Sequence, residues 1–274
     1  MSEGQLKFTN RNSKIAVSSH QSQIANRKLQ FYHINRKSQI ANCSFITSIA
    51  NRKFKLNPEL KITQDGSHTL YVPSLDEHYH SHFGAITESK HIFVNAGLAS
   101  LPSQRISILE VGFGTGLNAL LTAIYAGERK ININYTSLEK YPLDPVIVRQ
   151  LNYGSLSGSN GRDIFEALHS SPWGATVSIT EWFSLKKILS DLTIAGPEGL
   201  YDLIYFDAFG PDKQPEMWTM EVMSRIAAVT RQGSVLVTYS AKGNLKRMLK
   251  ALGFEVSLLP GPPGKRVMTR AVKR

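Results

Sequence analysis

Ile106-Ser107-Ile108-Leu109-Glu110-Val111-Gly112-Phe113-Gly114-Thr115-Gly116-Leu117-Asn118 reads as a short apolar strand, a glycine-rich turn, and the start of a helix that continues to about Ala126. A strand running straight into a glycine turn and a helix is the ligand-binding elbow of an open α/β sheet. Three glycines at alternate positions permit a sharp turn and let a ligand lie against main chain with no Cβ in the way. The spacing narrows the ligand. A dinucleotide fingerprint places glycine first, third and sixth, with the pyrophosphate on the helix N-terminus. Here the glycines are first, third and fifth, and the sixth place is Leu117.

Glu110, two places before the first glycine, stands at the expected carboxyl end of the strand. An acid there repels a diphosphate and attracts a cationic amino group, so a ligand with an α-amino acid end fits better than a dinucleotide. Residues 110–116, Glu-Val-Gly-Phe-Gly-Thr-Gly, resemble the first motif of class I S-adenosylmethionine-dependent methyltransferases. A second acid is then expected at the end of the next strand, roughly twenty residues on, to hold ribose hydroxyls. Ile131 to Leu138 is such a strand, and Glu139 ends it. A tight strand-to-helix turn without a ligand would account for the glycines but not for that acid.

The 274 residues are 42% apolar, enough for a proper core. No apolar run approaches the roughly eighteen residues of a membrane span, and the N-terminus has no hydrophobic signal core. The single cysteine, Cys43, excludes an intramolecular disulfide and makes a reducing cytoplasm the expected location. The net charge of +11 is uneven: residues 1–56 carry +9, residues 57–239 carry −6, and residues 240–274 carry +8. Only the two ends are basic, which matters for any nucleic-acid partner.

Residues 1–56 repeat a short motif: Ser22-Gln23-Ile24-Ala25-Asn26-Arg27-Lys28, Ser38-Gln39-Ile40-Ala41-Asn42, and Ser48-Ile49-Ala50-Asn51-Arg52-Lys53. The copies are too short and unevenly spaced for solenoid units. Polar, basic and without sustained periodicity, this segment is expected to be disordered. A translated repeat upstream of the true start, an organellar transit peptide, and a basic arm that touches RNA are the alternatives for its origin and use.

The folded domain is expected to span residues 57–274, with an N-terminal cover at about 57–104. His68 to Pro73 reads as a strand and Thr87 to Val94 as a helix. Between them His78, His80 and His82 alternate, and would share one face of an extended segment. A zinc triad is one reading of such a face, but no ligand-spacing motif accompanies it and a methyl transfer needs no metal, so no metal is expected. They read as a polar loop with solvated histidines, or as a cover over the ligand site.

Beyond Glu139, a helix is expected from Tyr141 to about Leu151, a flexible loop over Asn152 to Gly161, a helix over Arg162 to Ser170, and a third strand over Thr176 to Thr180. The apolar strand Tyr201 to Phe206 ends in Asp207, and Gly210-Pro211 turns the chain toward a helix with Pro215 in its first turn. In an open α/β sheet the ligand lies outside the carboxyl ends of the strands, so Asp207 should face its reacting end and is the catalytic candidate. The plainer alternative is an Asp that caps the turn. Met217 and Trp218 read as core. Ser234 to Tyr239 is a fifth strand, Asn244 to Leu252 a helix, and Phe254 to Leu258 and Val267 to Val272 a closing pair. The whole is a Rossmann-like α/β sheet of the class I methyltransferase type.

The chain resembles the methyltransferase half of the bifunctional wobble-uridine enzyme MnmC and its stand-alone relative MnmD. The resemblance rests on Tyr79-His80-Ser81 with Gly84, Glu88 and His91-Ile92-Phe93; Gly112 to Asn118; Glu139-Lys140-Tyr141-Pro142-Leu143; Phe206 to Trp218; Gly253-Phe254; and Gly261 with Gly264-Lys265-Arg266. It implies that S-adenosyl-L-methionine is held by Glu110, Gly112, Gly114, Thr115, Gly116, Asn118, Glu139, Lys140, Glu181, Asp207 and Phe209. It implies a substrate side of Tyr79, His80, Glu88, Pro211, Trp218, Lys242, Arg247, Lys265 and Arg266. The partner implied is a tRNA anticodon loop, whose 5-aminomethyl-2-thiouridine would be methylated on its amine. Two departures stand out. The usual Gly-Asp after the third strand is replaced by Thr180-Glu181-Trp182, leaving Glu181 as a substitute near adenine, and Val267 follows the Lys-Arg pair in place of an acid. The flavin-binding oxidoreductase half is absent, so methylation alone is expected, with a separate flavin-dependent oxidoreductase acting upstream.

Two rivals share these features. An aminopropyl transferase of the spermidine synthase type would also take an amine, in a small acidic polyamine site with no need for a basic edge. A non-catalytic RNA-binding protein could keep the fold and turn nothing over.

Overall fold

A computed structural model describes residues 57–274. The expectations for residues 1–56 (disorder, transit peptide, RNA-touching arm) lie outside the described residues. The chain divides into a unit of residues 1–55 and a unit of residues 56–274, and the fold below is that of the second.

Strands β1 (Glu59–Ile62), β2 (His68–Val72) and β3 (Glu77–His78) form a small antiparallel sheet. Helix α1 (Ala85–Ser89) follows and runs into a π-helical turn at Lys90–Asn95, so the helix expected over residues 87–94 begins earlier and changes pitch midway. This is the cover. The main sheet then opens with β4 (Arg105–Val111), α2 (Leu117–Arg129) and β5 (Asn132–Glu139). Three short helices follow: α3 (Pro145–Val148), α4 (Tyr153–Leu156) and α5 (Gly161–Ser170). After them come β6 (Thr176–Thr180), β7 (Phe183–Leu189) and β8 (Tyr201–Phe206). Helix α6 (Met220–Ala228), β9 (Thr230–Thr238), α7 (Gly243–Ala251), β10 (Phe254–Pro260) and β11 (Val267–Lys273) complete the chain.

The main sheet has eight strands in the order β10-β11-β9-β8-β4-β5-β7-β6. Its centre, β9-β8-β4-β5-β7, is parallel; β11 and β10 close one edge antiparallel and β6 the other. Apolar residues fill both faces. Ile106 and Ile108 point to the α2 side, and Leu109 and Val111 to the α6–α7 side. The chain leaves β4 toward β5 in one direction and returns to β8 on the other, so the switch point lies at the carboxyl ends of β4 and β8, where a ligand crevice forms.

Two expectations about elements change. The helix expected over Tyr141 to Leu151 is only Pro145–Val148, because Asp144 caps it by accepting from the Val146 N–H at 2.7 Å. The loop expected over 152–161 contains α4, whose Tyr153 is fully buried and donates its hydroxyl to the His68 carbonyl at 2.6 Å. Asn152 accepts from the His68 N–H and donates to the Gly66 carbonyl, each at 2.9 Å, so this stretch ties the cover to the sheet domain.

Candidate active site

A cavity of about 410 Å³ opens at the carboxyl ends of the parallel strands, below the cover. Its floor is the turn after β4. Gly112 donates to the Leu138 carbonyl at 2.9 Å, and Asp207 to the Val111 carbonyl at 3.1 Å, so three strand ends are stitched together there. The glycines answer to the protein as well as to a ligand. A Cβ on Gly112 would lie 2.7 Å from the Asp207 carbonyl oxygen, one on Gly114 would lie 3.2 Å from the Tyr79 ring, and one on Gly116 would lie 2.7 Å from His169 Nε2. Gly112 and Gly114 line the cavity; Gly116 does not, being the left-handed residue that starts α2.

Glu139, at the end of β5, lines the cavity with its carboxylate turned inward. One oxygen accepts from the Gly114 N–H at 2.9 Å and the other from the Tyr141 N–H at 2.7 Å. Burial raises this carboxyl above its ordinary range, against the pull of those main-chain donors. Hydroxyl donors from a bound sugar would relieve it.

Glu110 is placed differently from the expectation. It is fully buried on the α2 side, with Ile106 and Ile108, and is absent from the cavity wall. The reason is strand alternation: Val111 turns one way and Glu110 the other. Its Oε2 accepts from Ser137 Oγ at 2.6 Å, and burial pushes the carboxyl up to about 8. Its side chain thus lies behind the cavity wall and not on it.

Glu181 is also misplaced. Thr176–Thr180 runs antiparallel along the sheet edge, so the third parallel strand is Phe183–Leu189 and Glu181 sits exposed in the turn at its opposite end. The residues after β7 are Ser190 and Asp191, and both line the cavity. Asp191 Oδ1 accepts from the Thr193 N–H and hydroxyl, while Oδ2 pairs with Lys140 Nζ at 2.7 Å. Lys140 thus reaches the site as the partner of this acid. No local pattern marks the Ser-Asp pair, because two lysines interrupt the apolar alternation of the strand before it.

Asp207, Glu88, Lys265, Tyr239, Tyr79, Phe209 and His80 also stand on the cavity wall. Asp207 Oδ2 accepts from Asn118 Nδ2 at 2.7 Å. Burial pushes the Asp207 carboxyl up to about 7; Asn118 pulls it down, and the Glu88 charge adds to the rise. Glu88 accepts from the Ser81 N–H at 2.8 Å and pairs with Lys265 Nζ at 2.6 Å, and that ammonium lies 4.2 Å from the Tyr239 ring centroid. Tyr79 meets Phe209 edge-on with centroids 5.0 Å apart. His80 Nε2 lies 2.8 Å from Thr115 Oγ1, and burial lowers the imidazole to about 4, keeping it neutral. His78 and His82 line the same cavity, so the alternating histidines belong to the cover over the site.

Five expected substrate residues stand off the cavity wall. Trp218 is core, packed on Phe206 and donating Nε1–H to the Phe209 carbonyl at 2.7 Å, so it props the Asp207–Phe209 turn from behind. Pro211 lies in the turn that follows. Lys242, Arg247 and Arg266 are exposed, and Lys242 pairs with Asp212 at 2.8 Å.

Residues 172–274 match a family described as S-adenosyl-L-methionine-dependent methyltransferase. The fold and the matched family define a class I S-adenosylmethionine-dependent methyltransferase. Within that class the chain is related to part of the tRNA 5-methylaminomethyl-2-thiouridine biosynthesis bifunctional protein MnmC. It is 33% identical to the protein of that name from Cupriavidus necator over 215 residues, covering 73% of this chain and 32% of that one. The Ralstonia nicotianae protein is 31% identical, over 72% of this chain and 32% of its own length. The chain thus spans about a third of the length of these curated relatives. Among solved structures it is similar to MNMC2 from Aquifex aeolicus, with a TM-score of 0.63 and 27% identity, covering 91% of this chain and 83% of that one.

The residues around the cavity fit S-adenosylmethionine. Bare main chain at Gly112 and Gly114 adjoins a raised carboxyl at Glu139, and a further strand-end acid, Asp191, faces the same space.

Proposed function

We propose that this chain methylates the primary amine of 5-aminomethyl-2-thiouridine at the wobble position of tRNA. The observation that carries the reading is Asp207: a recessed carboxyl pushed up to about 7, fixed through one oxygen by Asn118 and lining the cavity beside the glycine turn. The MnmC relatives supply the particular base through their name.

Bound S-adenosylmethionine supplies an electrophilic methyl group on a sulfonium. Glu139 would take the ribose hydroxyls, Asp191 the adenine end, and the Gly112–Gly114 main chain the remainder. A primary alkylamine near neutral pH is mostly protonated and must lose a proton before its lone pair can attack. Asp207 suits that step, because a carboxyl near 7 can accept the proton where an ordinary Asp would be too weak a base. Once deprotonated, the amine keeps an N–H on Asp207 and aims its lone pair away from it. The amine would then take the methyl group, the methyl–sulfur pair staying on sulfur, and the product would leave as a secondary ammonium. Tyr79 and Phe209 offer aromatic faces to an unstacked base, as single-stranded loops require. Lys265, Arg247 and Arg266 belong to the +8 C-terminal end and suit the anticodon phosphates.

A polyamine is the second reading, favoured by Glu77, Glu88 and Asp207 on one side of the cavity. Incubation with methyl-labelled S-adenosylmethionine and undermodified tRNA should label the wobble nucleoside. Turnover of putrescine with decarboxylated S-adenosylmethionine and no labelling of tRNA would select the aminopropyl reading; binding of tRNA without turnover would select a non-catalytic protein.

A further inference from the structure

Lys187 is a lysine in the core. It lies on β7, is 1% exposed, and pairs with no acid among the described residues. Its Nζ donates to the Leu168 carbonyl at 2.8 Å and the His169 carbonyl at 3.0 Å, in the last turn of α5. The Phe113 and Trp173 ring centroids lie 5.2 and 5.0 Å from the same ammonium. A cation is favoured at a helix C-terminus, where carbonyls lack partners, and aromatic faces help hold it out of water.

This cation leads back to the glycine turn by two routes. Phe113 belongs to that turn and lies beside the ammonium. His169, whose carbonyl is held, points its ring at the turn, and Nε2 lies 3.1 Å from the Thr115 carbonyl. A carbonyl only accepts, so Nε2 carries the proton. The ring sits 5.3 Å from Phe113 and 4.6 Å from Phe165, leaving no room for a side chain at Gly116. Thr115 is therefore gripped twice, by His169 at its carbonyl and by His80 at its hydroxyl.

We propose that Lys187 is a positioning residue for the methyl donor: it fixes the end of α5 and, through His169, holds the Phe113–Gly116 main chain in its binding form before the donor arrives. Nothing in this depends on the identity of the acceptor. A preformed loop saves the ordering cost that binding would otherwise bear, so the effect falls on affinity and leaves the methyl-transfer step alone.

Calorimetric titration of the full chain with S-adenosylmethionine tests it. Lys187→Met keeps the stem without the charge, and His169→Phe keeps the ring packing without the N–H. Each should weaken binding by about tenfold, the equivalent of one net hydrogen bond. The rate at saturating donor should stay within about twofold of the parent, since uniform binding alone is lost. His169→Gln, whose amide N–H stands near the place of Nε2, should restore most of the affinity. Because Lys187→Met could fail to fold, the His169 pair decides independently. Unchanged affinity in His169→Phe, or equal loss in His169→Phe and His169→Gln, would overturn the proposal. So would a Lys187→Met protein of lowered melting temperature that binds the donor as tightly as the parent.

Discussion

Asp207 and Glu110 both carry carboxyl groups raised by burial, to about 7 and about 8, yet only Asp207 faces the cavity. For Asp207 the consequence is kinetic. In Asp207→Asn an acceptor oxygen remains but the proton cannot be taken, and in Asp207→Ala both are lost. Single-turnover methylation should be slower in both and slowest in Ala, and the inflection near pH 7 in parental kcat/KM should be missing from Asn. Rates equal to the parent in both would leave Asp207 a turn residue. For Glu110 the consequence is stability. A raised acid binds more protons folded than unfolded, so stability declines as pH rises toward about 7 for Asp207 and about 8 for Glu110. His80 and His169, lowered from 6.5 to about 4 by burial, have the opposite sign, and stability rises through their window. The two pairs offset each other up to about 6.5. Between 6.5 and about 8 the raised acids dominate, until Lys187, lowered to about 8 by burial, begins to oppose them, so the melting temperature of the ligand-free protein should fall there, Glu110 contributing on the order of 2 kcal/mol. Glu110→Gln keeps a neutral group of the same shape and should flatten most of the decline in a pH series of thermal melts.

At the scale of elements, β7 decides which acid lines the cavity. Its sequence, Phe-Ser-Leu-Lys-Lys-Ile-Leu, turns Phe183, Leu185 and Lys187 to the buried face. A lysine at a core position breaks the apolar alternation by which a strand is recognised, so the sequence marks the preceding strand in its place and Glu181 in place of Asp191. Asp191→Ala should weaken S-adenosylmethionine binding severalfold in calorimetry, as removal of a charged hydrogen-bonding partner does, whereas Glu181→Ala should leave it unchanged. The reverse result would return the adenine end to Glu181. The cover is likewise an element-level device. Glu88 pairs with Lys265, His91 Nε2 lies 2.9 Å from the Pro260 carbonyl, and Phe83 packs where any side chain at Gly264 would stand. Residues about 170 positions or more apart thus close this part of the cavity together, a juxtaposition no local pattern announces.

For the whole molecule, the unit of residues 56–274 has its own eight-stranded sheet and a core on both faces. A chain begun at Leu56 should fold alone, with a single cooperative thermal transition and methylation of tRNA at close to the full-length rate. A large rise in KM for tRNA would instead assign the +9 of residues 1–56 to RNA binding, since removing them leaves only +2 of the chain's +11. The sequence by itself determined the class of fold, the glycine turn, Glu139 and Asp207, because these depend on strand-to-helix punctuation and on residues at strand ends, which are local. It also determined that the ends of the chain are basic. Only the tertiary structure decided that Glu110 is buried behind the site, that Asp191 and not Glu181 ends the third parallel strand, and that Trp218 supports the Asp207 turn from the core. It alone joined Lys187, His169 and Thr115. Which face a side chain takes is set by strand pairing and register, and those depend on partners far away in the chain.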